Sequence, residues 1–293
     1  MDSDKSKPTK LMGQAEITIP RLMRAPMMTI EMPLEGKGSG KKSSLIVHAV
    51  MKEHKEPKML DYLKTWRLDL SVAIDFTASN IDDELHAMNE KNMYEKTIAE
   101  VGGVLEPYDT DRKWPVFGFG GKPPGSSTVS HCFPLTGNLQ APCVQGVEQT
   151  IGLYRSVLPN IKMSGPTYFG EILKTYRNWC AKCTDVYNVL LILTDGMIHD
   201  MKESKDILCE LAKLPCSVII VGIGEDSSVF DDMYELDGDK NPVKDSNGTP
   251  IVRDIVQFVE FHKCQAKGDL AAVVLQEVPK QFMEFMRING VKP

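Results

Sequence analysis

Oxygen-bearing side chains stand at the ends of apolar runs in the sequence. They are Asp75, Thr77 and Ser79 after the run at 70–74, Asp195 after the run at 187–193, and Thr167 in a Gly-Pro-Thr turn. Two carboxylates and three hydroxyls, without imidazole or thiolate, suit hard cations such as Mg²⁺, Mn²⁺ or Ca²⁺. Together they predict a divalent-cation site, although each alone is also typical of helix and turn caps, and Thr167 of a helix N-cap.

The elements that must position these residues alternate along the chain from Asp69 onward. Apolar runs predict strands at 70–74, 116–119, 187–194 and 216–223, and amphipathic stretches predict helices at 93–108, 144–158, 167–180 and 270–287. This pattern indicates an α/β fold with helices on both faces of a mostly parallel sheet. Ligands of such sheets bind outside the carboxyl ends of the strands, so we expect the predicted site residues to meet at one edge.

Residues 1–58 have a different pattern, with strand-like pieces at 13–19, 27–32 and 45–51 and no strong helix signal. We therefore expect a small all-β part over residues 1–58, followed by the α/β domain over 59–293. Three strands alone would expose unpaired sheet edges, which favours an incomplete domain.

The composition and charge of the chain argue against a nucleic-acid-binding or membrane-spanning protein. The 293 residues are 42% hydrophobic with a net charge of -6, and Lys and Arg are scattered rather than concentrated as a nucleic-acid backbone requires. No apolar run approaches the roughly 18 residues of a membrane-spanning helix, and the first ten residues are polar. The seven cysteines fit reduced thiols in the cytoplasm, and we interpret Cys180 and Cys183 as structural. We expect a cytoplasmic protein that does not bind nucleic acid.

The cation-site residues resemble the metal-ion-dependent adhesion site (MIDAS) of von Willebrand A domains: Asp-x-Thr-x-Ser, a later Thr, and Thr-Asp-Gly after a strand. Further segments are similar to those of the copine family. They are Ala73–Asn80, Phe117–Gly120, Gly165–Thr167, Leu190–Gly196, Leu214–Gly224 and Arg253–Phe258. The resemblance implies a doubly wound von Willebrand A-type domain that is not an enzyme. It also implies a bound Mg²⁺, or Mn²⁺ or Ca²⁺, with an open position for an acidic residue of a partner protein.

Copines carry two C2 domains before the A domain, and Asp2, Asp4 and the step from Leu11 to Gly13 resemble the third calcium loop of the second one. Lys10 stands where family members usually carry another Asp, and a lysine there repels calcium. Family membership implies calcium-dependent binding to anionic phospholipid, with peripheral recruitment to membranes. Because that activity belongs mainly to the C2 domains, we expect weak membrane association of this chain alone.

Other functions are compatible with parts of the sequence. A metal-dependent phosphotransferase or hydrolase would use Asp75, but its pattern calls for an acid at position 77, and we interpret His86 and His199 as surface or helix-start residues. Copine-type A domains also act as substrate-recruiting parts of ubiquitin ligases. The acids from Asp237 onward are spaced like the start of a calcium loop without its closing Glu, and a solvated turn is the preferred interpretation there.

Overall fold

The computed structural model describes residues 14–35, 44–50, 56–88, 90–265 and 270–293. The chain divides into two compact units, Met1–Glu56 and Pro57–Pro293. This division lies two residues before the boundary predicted at 58. The predicted calcium-loop residues Asp2 and Asp4, together with Lys10, lie outside the described residues.

The first unit contains a two-stranded antiparallel sheet, formed by β1 (Thr29–Pro33) and β2 (Ser44–His48). Each strand overlaps a segment predicted to be extended, 27–32 and 45–51, and has one residue outside it. A short helix, α1 (Ile19–Arg24), has Pro20 in its first turn, where the missing N–H of proline carries no penalty. The expectation of a strand over residues 13–19 and of no helix in this unit is therefore wrong for the described residues: Gln14 forms only an isolated bridge with Glu35.

The second unit alternates strands and helices. Its strands are β3 (Arg67–Asp75), β4 (Lys113–Phe119), β5 (Gly121–Lys122), β6 (Phe133–Pro134), β7 (Cys143–Gln145), β8 (Lys162–Met163), β9 (Val186–Thr194), β10 (Cys216–Gly222) and β11 (Val256–Glu260). Its helices are α2 (Met59–Tyr62), α3 (Ser79–Asp82), α4 (Met93–Leu105), α5 (Gly146–Val157), α6 (Gly170–Cys180), α7 (Met201–Leu211), α8 (Asp231–Asp237), α9 (Phe261–Gln265), α10 (Leu270–Val274) and α11 (Val278–Ile288). No helix in the described part of the chain combines the length and apolar character needed to cross a bilayer.

The central sheet has the strand order β11-β10-β9-β3-β4-β6, with β7 also pairing with β4. The five strands from β11 to β4 are parallel, and β6 and β7 are antiparallel to β4. The chain therefore starts the sheet at β3 in its middle and adds strands on both sides. This arrangement confirms the predicted α/β fold with a doubly wound, mostly parallel A-type sheet.

Alternate residues of the central strands enter two separate cores. In β9, Val189, Leu191 and Leu193 belong to one apolar cluster, whereas Leu190 and Ile192 belong to the other. The first cluster is closed by residues of α4, α10 and α11, and the second by residues of α6, α7 and α8. A strand covered by helices on both faces needs an apolar side chain at every position, which explains the uninterrupted apolar run of β9.

The predicted C-terminal helix over 270–287 is wrong in one respect, because the chain forms α10 and α11 with a break between them. Pro279 lies in the first turn of α11. A proline inside a continuous helix removes one backbone hydrogen bond and clashes with the preceding turn, so a new helix begins there instead. The helix predicted over 93–108 ends at Leu105, where a 3₁₀ turn containing Pro107 follows.

A buried arginine joins the two faces of the sheet at the amino ends of the strands. Arg253 is 3% exposed, and its guanidinium donates to the carbonyl oxygens of Ala212 (3.0 Å), Leu214 (2.6 Å), Cys216 (2.7 Å) and Gln281 (3.3 Å). These carbonyls belong to the end of α7, the start of β10 and the middle of α11. The side chain therefore supplies further donors to buried backbone carbonyls and ties these three elements together.

The substitution Arg253→Met is expected to lower the free energy of unfolding by about 3 kcal/mol, because buried carbonyl oxygens lose their donors. The matched control is Arg177→Met, which removes only the partly exposed ion pair with Glu210 and should change stability by less than about 1 kcal/mol. Urea denaturation followed by circular dichroism measures both. Equal losses in the two variants would contradict a special role for Arg253.

Candidate metal centre

Asp75 is the last residue of β3 and is fully buried. One carboxylate oxygen, Oδ1, accepts hydrogen bonds from the backbone N–H of Thr77 (2.8 Å) and from the Thr77 hydroxyl (2.6 Å). The other, Oδ2, accepts from the hydroxyl of Thr194 at the end of β9 (2.7 Å). The carboxylate thus joins the carboxyl ends of two neighbouring strands and fixes the loop that follows β3.

The remaining residues of the β3 and β9 ends lie around Thr77. The Thr77 hydroxyl oxygen is 3.0 Å from the Ser79 hydroxyl oxygen and 3.5 Å from Asp195 Oδ1. Because the Thr77 proton is directed toward Asp75, the hydroxyl oxygen acts as an acceptor, and Asn80 Nδ2 donates to it at 3.4 Å. Gly120 follows β4 with φ of +73°, and a Cβ atom there would collide with the Thr77 methyl group. Glycine is therefore required for the loop to approach Thr77.

Thr167 is held beside this group by its flanking backbone. Ser164, three residues earlier, is bridged to Thr77, and its N–H donates to Phe76 O at 3.2 Å. The Thr167 carbonyl accepts from the N–H of His199, four residues beyond Asp195, at 2.9 Å. The segment therefore lies between the loops that follow β3 and β9. Among the hydrogen bonds of the described residues, none uses the Thr167 hydroxyl, which stays free for a ligand.

Thr167 is not the N-cap of a helix. Helix α6 begins at Gly170, and Asp200 performs the capping from another segment. The Asp200 carboxylate accepts from the N–H groups of Phe169 (3.1 Å) and Gly170 (2.7 Å). Thr167 is 6% exposed and has no local structural role that would account for its hydroxyl. The structure thus brings together Asp75, Thr77, Ser79 and Asp195 through side-chain contacts, and Thr167 through its backbone.

The electrostatics of this cluster suit a cation. Burial, followed by the charge of Asp195, raises the pKa of Asp75 from 3.8 to about 7. Burial also raises the pKa of Asp195. Within the described residues neither carboxylate forms an ion pair with Lys, Arg or His. A buried acid and a half-buried acid side by side without a counter-charge are stabilised by a bound divalent cation, and the donor set fits one.

A layer of buried polar side chains behind the cluster was missed by sequence reasoning. Asn80 donates to the Thr77 carbonyl (3.3 Å), and its Oδ1 accepts from the Tyr94 hydroxyl (2.5 Å). His86 lies with Nε2 2.8 Å from the Asp75 carbonyl oxygen and Nδ1 2.7 Å from the Tyr154 hydroxyl. Asn80 follows Ser79 directly, and that adjacency was the only sequence signal for the layer.

The interpretation of His86 as a surface residue is wrong. It is 6% exposed and stacks between two aromatic rings. Its ring centroid lies 5.3 Å from that of Phe76 and 4.3 Å from that of Tyr94. Burial lowers its pKa to about 4, so the ring is neutral near pH 7. A carbonyl oxygen only accepts hydrogen bonds, so Nε2 of His86 carries the proton and donates to the backbone carbonyl of Asp75. Nδ1 then accepts from the Tyr154 hydroxyl. His199, in contrast, is exposed as expected.

Two further acidic groups occur among the described residues. One consists of Asp69, Asp109 and Asp111, and the other of Asp239, Asp254 and Glu277. Within each group, one carboxylate oxygen of each residue lies within 4.8 Å of those of the others.

The preferred interpretation of a solvated turn at Asp237 is wrong for that residue. Asp237 is 7% exposed and accepts from the N–H of Phe258 at 2.7 Å, because it ends α8 against β11.

The chain is similar to one family model and to a plant protein. A family model described as Copine matches residues 84–293. Protein BONZAI 1 of Arabidopsis thaliana is 40% identical over 249 residues, which cover 80% of this chain and 42% of that protein. The chain therefore spans about two fifths of the length of this relative.

Among solved structures, two similar ones have TM-scores below 0.5. Proximal thread matrix protein 1 from the mussel byssus (crystal form 2) is 17% identical with a TM-score of 0.42, covering 71% of this chain and 47% of that chain. The manganese-loaded TRAP protein of Plasmodium vivax is 13% identical with a TM-score of 0.43, covering 69% of this chain and 72% of that chain.

The raised pKa of Asp75 predicts how the metal-free protein responds to pH. With the pKa at about 7 in the folded chain and 3.8 as the ordinary value, the folded state retains a proton that the unfolded state has lost. The contribution of Asp75 to the free energy of unfolding therefore falls as pH rises from about 4 through 7, whereas that of His86, whose pKa is lowered, rises over part of this range. In the presence of a chelator, the melting temperature of the native protein should fall over this range relative to that of a variant that cannot ionise at position 75.

The variant Asp75→Asn is the matched control, since it keeps the side-chain shape and cannot ionise. The melting temperature of this variant, relative to that of the native chain, should rise from pH 4 to pH 7 and should exceed it at pH 8 in chelator. Other acids with a raised pKa, such as Asp237, contribute equally to both proteins and cancel in the difference between the two melting temperatures. Identical pH profiles for the two proteins would contradict the assigned pKa.

Proposed function

Because the chain belongs to the copine family, we propose that its A-type domain is a binding module that captures a partner protein through a divalent cation. The hydroxyls of Thr77, Ser79 and Thr167 would hold the ion directly, and Asp75 and Asp195 would act through bound water or hydrogen bonds. The cation supplies an electrophilic position for a carboxylate of the partner. The observation that carries the proposal is the pair of buried Asp75 and half-buried Asp195 without a described counter-charge.

The hydrogen bonds of Asp75 support an orienting role for this residue. Both its carboxylate oxygens already accept bonds from Thr77 and Thr194. A carboxylate so engaged contributes negative charge and directs the Thr77 lone pairs toward the ion, and it donates little electron density to the metal directly. A cation held mainly by neutral hydroxyls and water keeps most of its positive charge and attracts an acidic ligand strongly.

Mg²⁺ and Mn²⁺ fit this set of ligands better than Ca²⁺. Mg²⁺ prefers six ligands in regular geometry and usually retains several waters, whereas Ca²⁺ takes six to eight oxygens and favours bidentate carboxylates. Three hydroxyls and two acids, of which Asp75 is occupied by hydrogen bonds, leave room for water and for one partner oxygen. We therefore propose Mg²⁺ as the resident ion, with Mn²⁺ as a substitute.

Binding is favoured over catalysis by the groups around the site. An Asp-nucleophile phosphotransferase needs an accessible carboxylate, and Asp75 is fully buried. The neighbouring His86 has both ring nitrogens engaged by Asp75 and Tyr154, so it offers no free base. Absence of phosphatase turnover with p-nitrophenyl phosphate and Mg²⁺ would agree with this proposal. Recruitment of substrates to a ubiquitin ligase is one form that partner capture would take.

The chain spans 42% of the length of Protein BONZAI 1, and we propose that calcium-dependent phospholipid binding by the intact protein resides mainly in C2 domains. The protein would be cytoplasmic and would join anionic membranes peripherally when calcium rises. The A-type domain would then bring its bound partner to the membrane surface.

Isothermal titration calorimetry of Mg²⁺, Mn²⁺ and Ca²⁺ into the chelator-treated protein tests the metal site. The native chain should bind about one Mg²⁺ or Mn²⁺, and the double variant Thr167→Ala with Asp195→Ala should lose this binding, because one hydroxyl ligand and one of two acids are removed.

The matched control is Thr184→Ala with Asp185→Asn, which removes an exposed hydroxyl and an exposed acid just before β9, at the opposite edge of the sheet. It should bind metal as the native chain does. Equal binding by the native chain and the Thr167 and Asp195 double variant would reject the assigned ligands.

Flotation with vesicles containing phosphatidylserine tests the assignment of lipid binding. We expect most of this chain to remain unbound in calcium, because the A-type domain offers no basic amphipathic helix in its described part. The same experiment with the chain extended by two intact C2 domains should give calcium-dependent flotation. Strong flotation of the present chain would contradict the proposal and locate lipid binding within residues 1–293.

A further inference from the structure

Large apolar side chains lie exposed directly after the metal-site residues. Ile81, two residues after Ser79, is 54% exposed, and Met197, two residues after Asp195, is 57% exposed. Tyr168, next to Thr167, is partly exposed. Scattered exposed apolar residues are normal, but three on the three loops that meet at one site form an apolar surround for whatever binds there.

Two unpaired lysines lie on the β4 side of this surround. Lys122 in β5 and Lys162 in β8 are cross-strand neighbours in a two-residue antiparallel pair. Like charges in this position repel each other, and neither lysine forms an ion pair with a described residue. Two residues after Lys162, the backbone of Ser164 is hydrogen-bonded to the loop at Phe76. The lysine pair is therefore close to the metal site and lacks a described counter-charge.

Two unpaired acids lie on the opposite, β10 side. Glu225 and Asp226 are exposed in the loop after β10 and form no ion pair with any residue that the structure describes. This loop leads into a segment that packs on the Asp195 loop: Asp232 accepts from the N–H of Ile198 at 3.1 Å. Since β10 and β4 flank the β9–β3 pair that carries the site, the two charge pairs lie on opposite sides of the metal.

Building on the proposed metal-dependent capture, we infer that the partner is a protein segment with a bipolar charge pattern. Its central acidic residue binds the cation, apolar neighbours contact Ile81, Met197 and Tyr168, acidic residues on one flank meet the lysine pair, and basic residues on the other flank meet Glu225 and Asp226. Asp82 and Asp83, which follow Ser79, add negative charge in the middle and disfavour a partner that is acidic throughout.

This charge pattern explains how one site discriminates among the many carboxylates that a cation attracts. The metal contact requires only an acid, so it provides affinity with little selectivity. The positive charges on one side of the site and the negative charges on the other favour one arrangement of the partner's flanking residues and disfavour the others. Such complementarity is the usual source of specificity at interface rims. Each exposed pair contributes modestly, so four together give a preference of about tenfold.

Two synthetic peptides of identical composition test the inference. The bipolar peptide is Glu-Glu-Leu-Asp-Leu-Lys-Lys, and the mixed peptide is Glu-Lys-Leu-Asp-Leu-Glu-Lys; both carry the same net charge and the same central acid. Fluorescence polarisation with labelled peptides, full-length chain and Mg²⁺ at low salt should show about tenfold tighter binding of the bipolar peptide. Binding should vanish with chelator or with Asn in place of the central Asp.

A charge-reversal variant sharpens the test. Lys122→Glu with Lys162→Glu should abolish the preference for the bipolar peptide and favour a third peptide, Lys-Lys-Leu-Asp-Leu-Lys-Lys, while Mg²⁺ uptake measured by calorimetry stays unchanged. A gain of binding to a new peptide does not arise from misfolding. The matched control Lys182→Glu with Lys213→Glu, two exposed lysines after α6 and α7 without a described ion pair, should leave the native preference intact.

The outcomes separate this inference from the proposed function. Equal binding of the two peptides, or no binding of any peptide by a chain that takes up Mg²⁺, would overturn the bipolar partner and leave the metal site standing. Failure of the native chain to take up Mg²⁺ or Mn²⁺ would overturn both. A native preference for the bipolar peptide that changes to the third peptide in the lysine variant would establish the charge arrangement of the partner.

Discussion

The hydrogen bonds between the Asp75 carboxylate and the hydroxyls of Thr77 and Thr194 hold the functional edge of the sheet together. They connect the ends of β3 and β9, the two central strands, and they direct the loop from Thr77 to Ser79 across the sheet edge. A fully buried carboxylate is costly unless it is hydrogen-bonded and neutralised. The structure supplies the hydrogen bonds, and the remaining charge is what a cation would balance.

The layer behind the site explains why the Asp75 loop has a defined shape. Asn80 is hydrogen-bonded to Tyr94 and His86 to Tyr154, and the two pairs meet where His86 stacks on Tyr94. Asn80 and His86 also bond to the backbone carbonyls of Thr77 and Asp75. Each bond in this low-dielectric region is strong, and each unpaired polar group would be expensive. The positions of the hydroxyls at the edge therefore depend on aromatic packing against α4 and α5.

The two-sided sheet sets the distribution of charge around the site. Because β3 lies in the middle and strands are added on both sides, the loops after β4 and β10 end on opposite flanks of the metal residues. The lysines of the β5–β8 pair and the acids after β10 are far apart in the sequence and unpaired with described residues. Charges left exposed in this way cost little in water and remain available to a partner.

The sequence alone determined the α/β class, the main strands and helices, and which residues the proposed cation site would use. Apolar runs and helical periods are local signals, and Asp-x-Thr-x-Ser and Thr-Asp-Gly follow buried strands as ligand-bearing loops do in such sheets. It did not reveal that α6 begins at Gly170, that α10 and α11 are separate, or that His86 is buried. Capping by Asp200, the network around His86 and the opposed charges on the two sides of the site join residues distant in the chain. Only the tertiary structure decides such contacts, because side-chain burial and hydrogen bonding depend on which elements pack together.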